Sequence, residues 1–225
     1  MEAQHFQPGQ TFAGVPTRLK RDAFGTINLD PATGLVVRDT SAAMPALRWL
    51  ARALARREAR ALRRLAGRAG FPEVVTTTRT RLGRTYLVGA PMHEARFDPR
   101  RYFPRALRQL RRMHAHGVTH NDLAKEANWI CGPGDEAGIV DFQIAGCFTR
   151  RSALFRLLAR EDLRHLLKHK RHYAPELLSP RQKRILANPA WTAKIWRIAF
   201  KPPYLFVTRR LLGWQERHCA AERSI

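Results

Sequence analysis

Short β-branched runs separated by turn residues form the first pattern in the chain. The segments TINL and LVVRDT flank DPATG, in which Asp30-Pro31 and Gly34 are turn residues, and together they predict a β-hairpin. The segments EVVTTTRT and RTYLVGAP predict two further strands, joined by a turn at Leu82-Gly83.

Apolar positions with a helical period form the second pattern. From Ala46 to Ala66, leucines recur at helical spacing among arginines, and GRAGFP ends the stretch. A second helix is predicted from about Pro99 to His116, with Gly117 as its C-cap. Beyond Gly146 the pattern is mostly helical, with breaks at APELLSP and KPPY.

The segment ANWICGPGDEAGIVDF predicts a tight hairpin around a Gly-Pro-Gly turn. The predicted order is therefore hairpin, helix, hairpin, helix, loop, hairpin and helices, which indicates an α+β fold. A small sheet with one helix precedes a mostly helical part, and the boundary falls near Gly89–Pro91. A cleft between two such parts is a natural nucleotide site. Residues 1–17, polar with Pro and Gly, are interpreted as an N-terminal lead-in.

The charge changes this picture most. Of the 225 residues, 41 are Lys or Arg and 18 are Asp or Glu, and the formal net charge is +23. Such a surface attracts nucleic acid, acidic lipid headgroups or nucleotide phosphates. Solvated helix faces in an Arg-rich chain are the simpler explanation for any single basic cluster.

The cysteines and the apolar runs bear on the cellular compartment. The three cysteines are far apart and form no CxxC pair, which argues against a disulfide scaffold and favours a reducing compartment. The N-terminal MEAQHFQPGQ lacks the pattern of a signal peptide. No run approaches the roughly 18 uninterrupted apolar residues that a spanning helix needs. The sequence predicts a cytoplasmic protein, with peripheral binding to the inner membrane face left open.

Two short motifs carry candidate chemistry, His120-Asn121-Asp122 and Asp141-Phe142-Gln143. Phosphoryl transfer needs a carboxylate that orients the attacking hydroxyl and accepts its proton, and oxygen ligands for Mg²⁺. Asp122 suits the first role and Asp141 the second. Asn128 supplies a neutral oxygen for the metal, and the hairpin between the motifs would bring both ends of the segment together.

In LRRMHAHGVTHNDLAKEANWI and AGIVDFQIA the chain resembles the catalytic core of the protein-kinase-like superfamily, and it is most similar to the atypical bacterial branch of RIO-like and lipopolysaccharide-core kinases. The resemblance implies a two-lobed fold with a β-rich nucleotide-binding lobe (residues 18–90) and a mostly helical catalytic lobe (residues 91–225). It implies ATP and Mg²⁺ as cofactors, Asp122 as the catalytic carboxylate and Lys125 as the cation beside the transferred phosphate. It implies Asn128 and Asp141 as the metal ligands.

The resemblance also covers the region upstream. Arg38 stands where the family has a phosphate-binding Lys, and Glu58 stands where that residue's helix partner is expected. Gly25 is what remains of the glycine loop, and Lys20 is a substitute cation. The segment TYLVGAP resembles the last small-lobe strand running into the hinge, which implies adenine contacts from the backbone of Val88 to Ala90.

Three departures from the family pattern stand out. Five residues separate Asp122 from Asn128, where kinase loops have four. Glu126 is therefore an alternative metal ligand. Gln143 replaces the Gly of D-F-G, and most of the loop glycines are absent.

Two further segments allow more than one interpretation. His165 and His169 are four apart on a predicted helix, a spacing that can hold Zn²⁺, although a basic surface facing an anionic substrate or membrane is favoured. The C-terminal WTAKIWRIAFKPPYLFVTRRLLGW mixes aromatic and basic residues. Packing against the catalytic part, an interface with acidic lipid and stacking on single-stranded nucleic acid all suit this composition.

The leading hypothesis is an ATP- and Mg²⁺-dependent phosphotransferase, specifically an atypical serine/threonine protein kinase. A lipopolysaccharide or glycolipid sugar kinase at the inner membrane face is the first alternative. A pseudokinase scaffold and a polyanion-binding module are the others. The expected partners are ATP, a protein or glycolipid acceptor and an acidic membrane surface, with nucleic acid the least favoured.

Overall fold

The computed structural model of the protein describes residues 17–30 and 32–188. Over these residues the chain has a mixed α/β structure with a five-stranded antiparallel sheet and four α-helices, which confirms the predicted mixture of elements. The strands of the large sheet are β1 (Thr17–Asp22), β2 (Gly25–Asp30), β3 (Leu35–Asp39), β4 (Val74–Thr77) and β5 (Arg81–Thr85). The helices are α1 (Arg48–Arg64), α2 (Pro99–Ala115), α3 (Ala153–Tyr173) and α4 (Pro180–Ala187).

The strand order in the large sheet is β1-β2-β3-β5-β4. The hairpin predicted around DPATG is confirmed, because β2 pairs with β3 from Thr26–Asp39 to Asp30–Leu35. Gly34 closes its turn with a 2.8 Å hydrogen bond to the Asp30 carbonyl and a φ of +65°, a conformation that favours glycine. The lead-in predicted for residues 1–17 lies outside the described residues, apart from Thr17 at the start of β1.

The turn predicted at Leu82-Gly83 is wrong. Both residues lie inside β5, and the chain reverses earlier, where the Thr78 amide donates to the Arg81 carbonyl at 2.8 Å. Leu82 is fully buried in the sheet, and a Cβ on Gly83 would collide with the Thr76 hydroxyl. The glycine therefore permits close approach within the sheet instead of a turn. Strand β5 ends at Thr85, so it covers only the first two residues of the strand predicted over RTYLVGAP.

The helix predicted from Ala46 to Ala66 is confirmed as α1, after a short 3₁₀ turn at Pro45–Leu47. Its buried residues are mostly alanines (Ala51, Ala59 and Ala61), with Leu62 beside them, so the helix approaches its neighbours closely. The charged residue on this buried face is Glu58. Most of the arginines therefore fall on the outer side of the helix.

The helix predicted from Pro99 to His116 is confirmed as α2. The Asp98 side chain accepts a 2.8 Å hydrogen bond from the Arg100 amide at its N-terminus, and Gly117 follows its C-terminus with a φ of +69°. The helix packs against a hairpin of β8 (Trp129–Cys131) and β9 (Ala137–Ile139), to which β6 (Ala90–Pro91) adds a third strand. A two-stranded ladder joins β7 (Val118–Thr119) to β10 (Gly146–Cys147).

Beyond Gly146 the predicted helices are α3 and α4, with Ser152 and Ser179 as their N-caps. The break at APELLSP is confirmed by a 3₁₀ turn at Pro175–Leu177. The KPPY break and the aromatic C-terminal stretch lie outside the described residues. Among the helices of residues 17–188, none is both long enough and apolar enough to cross a bilayer.

Candidate functional site

The loop after β7 is built around His120. Its Nε2 atom lies 2.9 Å from the Val140 carbonyl, and its Nδ1 atom accepts a 3.3 Å hydrogen bond from the Asp122 amide. Both ring nitrogens are thus within hydrogen-bond distance of backbone groups on either side of the site. The ring also packs edge-to-face on Phe142, with 4.7 Å between centroids. His120 thus connects the first motif to the second.

Asp162 on α3 anchors the same loop, a role that no motif in the sequence indicated. Its buried carboxylate accepts hydrogen bonds from the amides of His120 and Asn121, both at 2.9 Å, and lies 3.1 Å from His114 Nε2. These bonds hold Asn121 at a φ of +68°, where a non-glycine residue is strained. One signal in the sequence could have indicated this role. Asp162 is an acidic residue four positions before Leu166, which places it on the apolar face of the helix.

The side chains of Asp122, Lys125 and Asn128 meet in this loop. The Asp122 Oδ2 atom lies 2.7 Å from Lys125 Nζ and 3.2 Å from Asn128 Nδ2. The Asn128 Nδ2 atom also donates to the Asp122 carbonyl at 2.9 Å. With both amide hydrogens used, the Oδ1 oxygen of Asn128 is the atom left to take a cation.

The extra loop residue is accommodated by Glu126, whose side chain turns into the interior. Its carboxylate accepts a 3.2 Å hydrogen bond from the Tyr173 hydroxyl and lies 3.7 Å from His169 Nδ1. His169 and Tyr173 hold the pKa of Glu126 below its ordinary value, against the effect of burial. A 3₁₀ turn at Glu126–Asn128 then delivers Asn128 to Asp122. The alternative of Glu126 as a metal ligand is not supported, since its carboxylate is turned toward α3.

Arg38, Glu58 and Arg84 form a buried charge cluster between β3, α1 and β5. Glu58 is fully buried, and its two oxygens lie 3.1 Å from Arg38 Nε and 2.5 Å from Arg84 Nη1. The pairing of Arg38 with Glu58 is the one predicted from the sequence, whereas Arg84 was not identified. The planar guanidinium group of an arginine can pair with two carboxylates at once, and the second carboxylate that Arg38 contacts is that of Asp141.

Asp141 follows the β8–β9 hairpin and faces this cluster. Its Oδ1 atom lies 3.5 Å from Arg38 Nη2, and 28% of its side chain is exposed. Burial raises the pKa of Asp141, but the charges of Arg38, Arg84 and Lys20 outweigh that effect and hold the pKa below its ordinary value. Its backbone has a φ of +67°, which costs roughly 1 kcal/mol or more for a non-glycine residue. The fold thus keeps an ionised carboxylate in a strained position.

The remaining predicted nucleotide contacts lie in two places. Lys20 pairs with Asp22 at 3.2 Å, and its side chain is half-exposed. Gly25 begins β2 with a φ of +126°, and a Cβ there would collide with the Asp39 carbonyl, so this glycine has a structural reason of its own.

Val88 precedes β6, and Ala90 lies in that strand. Since β6 is the edge of its three-stranded sheet, its outer backbone edge is unpaired within that sheet.

The donor set fits Mg²⁺ better than a softer metal. An ionised carboxylate at Asp141 and an amide oxygen at Asn128 are hard oxygen ligands, which Mg²⁺ takes in small number and completes with water or phosphate. Over residues 17–30 and 32–188, no group of three or more His, Cys, Asp or Glu side chains is arranged to hold a metal ion. The spacing of His165 and His169 therefore has no third ligand that would make a zinc site.

No protein-family model matches this chain, and a search of curated proteins found no match either. Assignment of a function therefore depends on the geometry of these side chains.

Proposed function

We propose that the chain is an ATP- and Mg²⁺-dependent phosphotransferase with a hydroxyl acceptor, an atypical serine/threonine kinase. In this proposal the fold is the two-lobed protein-kinase-like one, with a nucleotide-binding lobe at residues 18–90 and a catalytic lobe at residues 91–225. The adenine would lie against the backbone of Val88 to Ala90.

One observation carries the proposal, a continuous path of polar contacts between α1 and the loop after β7. Glu58 pairs with Arg38 at 3.1 Å, and Arg38 reaches Asp141 at 3.5 Å. The carbonyl before Asp141 bonds His120 at 2.9 Å, and His120 accepts the Asp122 amide at 3.3 Å. The path uses strained and buried polar groups that core packing alone does not require.

Asp122 suits the role of the residue that orients the acceptor hydroxyl and takes its proton. Hydrogen bonds to its main chain and side chain fix its position, and 21% of its side chain stays exposed to a substrate. Lys125 holds a positive charge beside it, 2.7 Å away. That charge would offset the charge of the phosphoryl group in transfer.

Asp141 and Asn128 would hold Mg²⁺, which when bound would neutralise the nucleotide phosphates. Protein contacts position both residues, the arginine cluster for Asp141 and two bonds to Asp122 for Asn128. Such preorganisation lowers the cost of assembling the site when nucleotide arrives.

A nucleotide-binding pseudokinase is the second candidate, and one observation favours it. Arg38 stands in the position of the phosphate-binding Lys and already serves two carboxylates, Glu58 and Asp141. A guanidinium held this way has less freedom to follow the phosphates than a Lys ammonium. Nucleotide binding without turnover would result.

The test is transfer of label from γ-labelled ATP in the presence of Mg²⁺, with protein and glycolipid fractions of the source cell as acceptors. We expect Asp122→Asn to lower the rate by roughly 100-fold or more, the usual contribution of a positioned base. Asp30→Asn is the matched control, because Asp30 is the last residue of β2 and the Asn oxygen can still accept the hydrogen bond from the Ala32 amide.

The labelled fraction identifies the acceptor class, protein or glycolipid. Equal rates for wild type and Asp122→Asn would overturn the proposal. Absence of transfer together with an ATP-induced rise in Tm would replace it with the pseudokinase.

A further inference from the structure

The outer side of α1 carries a stripe of arginines that no contact of the site uses. Trp49, Arg52, Arg56, Arg60 and Arg63 follow one another at three- and four-residue steps, which places them on one helical face. We call these five residues the arginine face. With a rise of about 1.5 Å per residue, it extends over roughly 20 Å.

Nothing within α1 neutralises the arginine face. The acidic residue in the helix sequence is Glu58, which is fully buried on the opposite side and paired with Arg38 and Arg84. Arg60 is exposed and forms no hydrogen bond or ion pair with another described residue. Arg56 bonds a backbone carbonyl of its own helix through Nε, so its charge also lacks an acidic partner in the described part of the chain.

Two cavities of about 430 Å³ each lie along this face and share the side chains of Arg56 and Arg60. The first also reaches Ala145 and Cys147, in the segment after Asp141. The Arg57 Nε atom donates a 2.6 Å hydrogen bond to the Ala145 carbonyl, which connects α1 to that segment. These cavities are large enough for the phosphate of a lipid headgroup and present guanidinium groups to it.

Exposed apolar side chains accompany the arginines. Trp49 is 68% exposed and Met44, just before the helix, is 52% exposed. Ile144, next to the cavity residue Ala145, is 41% exposed. An exposed Trp beside arginines suits the boundary between headgroups and acyl chains. Nucleic acid would use Trp49 for stacking but has no use for an exposed Met and Ile, so the composition favours lipid.

We propose that the arginine face is a docking surface for anionic phospholipid, with α1 lying along the membrane and Trp49 inserted at the headgroup boundary. The segment that holds Ile144 would then face the bilayer. Since Asn121 Nδ2 bonds the Ile144 carbonyl at 2.9 Å, the loop of Asp122 is connected directly to the docked segment. The docking itself is independent of whether the site transfers phosphate.

The test is co-sedimentation of the full chain with vesicles of phosphatidylcholine, with and without phosphatidylglycerol, over a range of salt concentrations. We expect Arg56→Glu/Arg60→Glu to lower partitioning onto anionic vesicles by roughly tenfold or more, because each surface arginine contributes about a factor of five. The matched control is Arg108→Glu/Arg111→Glu on α2, which makes the same change in net charge at two exposed arginines.

Trp49→Ala separates the apolar contribution from the electrostatic one. It should weaken binding at every salt concentration and leave the salt dependence unchanged, whereas the arginine variant should flatten that dependence. The proposal is overturned if the α2 control loses as much binding as the α1 variant, or if neither α1 variant changes partitioning. It is also overturned if the α1 substitutions abolish binding to single-stranded RNA while vesicle binding persists.

Discussion

The Nη2 atom of Arg38 lies 3.5 Å from the Oδ1 atom of Asp141, across 103 positions of sequence. The same guanidinium pairs with the fully buried Glu58. The carboxylate that we assign to the metal is therefore aligned by β3 and α1, and not by its own loop alone. A disturbance of either element should reach the candidate site.

The first prediction concerns the stability of this charge cluster. Arg38→Met leaves Glu58 paired with Arg84 and should lower the free energy of unfolding by about 3 kcal/mol, the cost of breaking a buried pair. Arg38→Lys keeps the positive charge but not the planar guanidinium, so it should lower the free energy of unfolding by less than Arg38→Met does. Urea denaturation measures both. An unchanged midpoint for Arg38→Met would mean that Arg84 alone satisfies Glu58.

The second prediction concerns Asp162. Asp162→Asn places an amide group against two backbone amides that need acceptors, and we expect a loss of about 2 kcal/mol in the free energy of unfolding. Hydrogen exchange at the amides of His120 and Asn121 should accelerate. The neighbouring Glu161→Gln is the control, because its pair with Arg164 joins two residues of the same helix, and its loss of stability should be the smaller one. Similar losses in the two variants would contradict the anchoring role.

The third prediction separates the two candidate metal ligands in the loop. Asn128→Ala removes the amide oxygen that we assign to the metal and should raise the Mg²⁺ concentration needed for ATP to increase the Tm. Glu126→Gln should leave that concentration unchanged, because the Glu126 side chain bonds Tyr173 instead. Thermal shift titrations with ATP and Mg²⁺ give the answer without any turnover. A larger effect from Glu126→Gln than from Asn128→Ala would reverse the assignment.

The fourth prediction concerns pH. Burial, with the nearby charge of Lys168, lowers the pKa of His165 from 6.5 to about 3. Between those values the unfolded chain binds a proton that the folded chain does not. The free energy of unfolding should therefore fall as the pH drops from about 6.5 toward 3, by at most about 1.4 kcal/mol per pH unit from this residue.

His165→Leu removes that titration, and its Nδ1 atom has no hydrogen-bond partner to lose among the described residues. The variant should become more stable relative to wild type as the pH is lowered through this window. Urea denaturation at a series of pH values measures the difference. A difference that does not depend on pH would show that His165 is accessible to protons in the folded state.

The elements that the sequence predicted are those with local signals. The DPATG hairpin, α2 between Asp98 and Gly117, and the hairpin between the two motifs each depend on residues within a few positions of one another. The pairing of Arg38 with Glu58 was also expected, but from the resemblance to kinases and not from any local pattern.

The wrong turn prediction and the residue that was missed both involve contacts with another element of the fold. Gly83 looks like a turn residue in sequence, yet it lies in β5, where the Thr76 side chain of β4 leaves no room for a Cβ. Arg84 was not identified, because a basic residue in an Arg-rich chain carries no sign that Glu58 will meet it.

The sequence by itself determined the order of the elements, the two motifs and the acidic residues that they contain. Only the tertiary structure decided which way Glu126 turns and which residue holds the loop of His120 and Asn121. Capping, turns and periodicity act through neighbouring residues, so they are visible in the chain. Burial of a charge beside a distant partner depends on how the elements pack, and no short stretch of sequence encodes it.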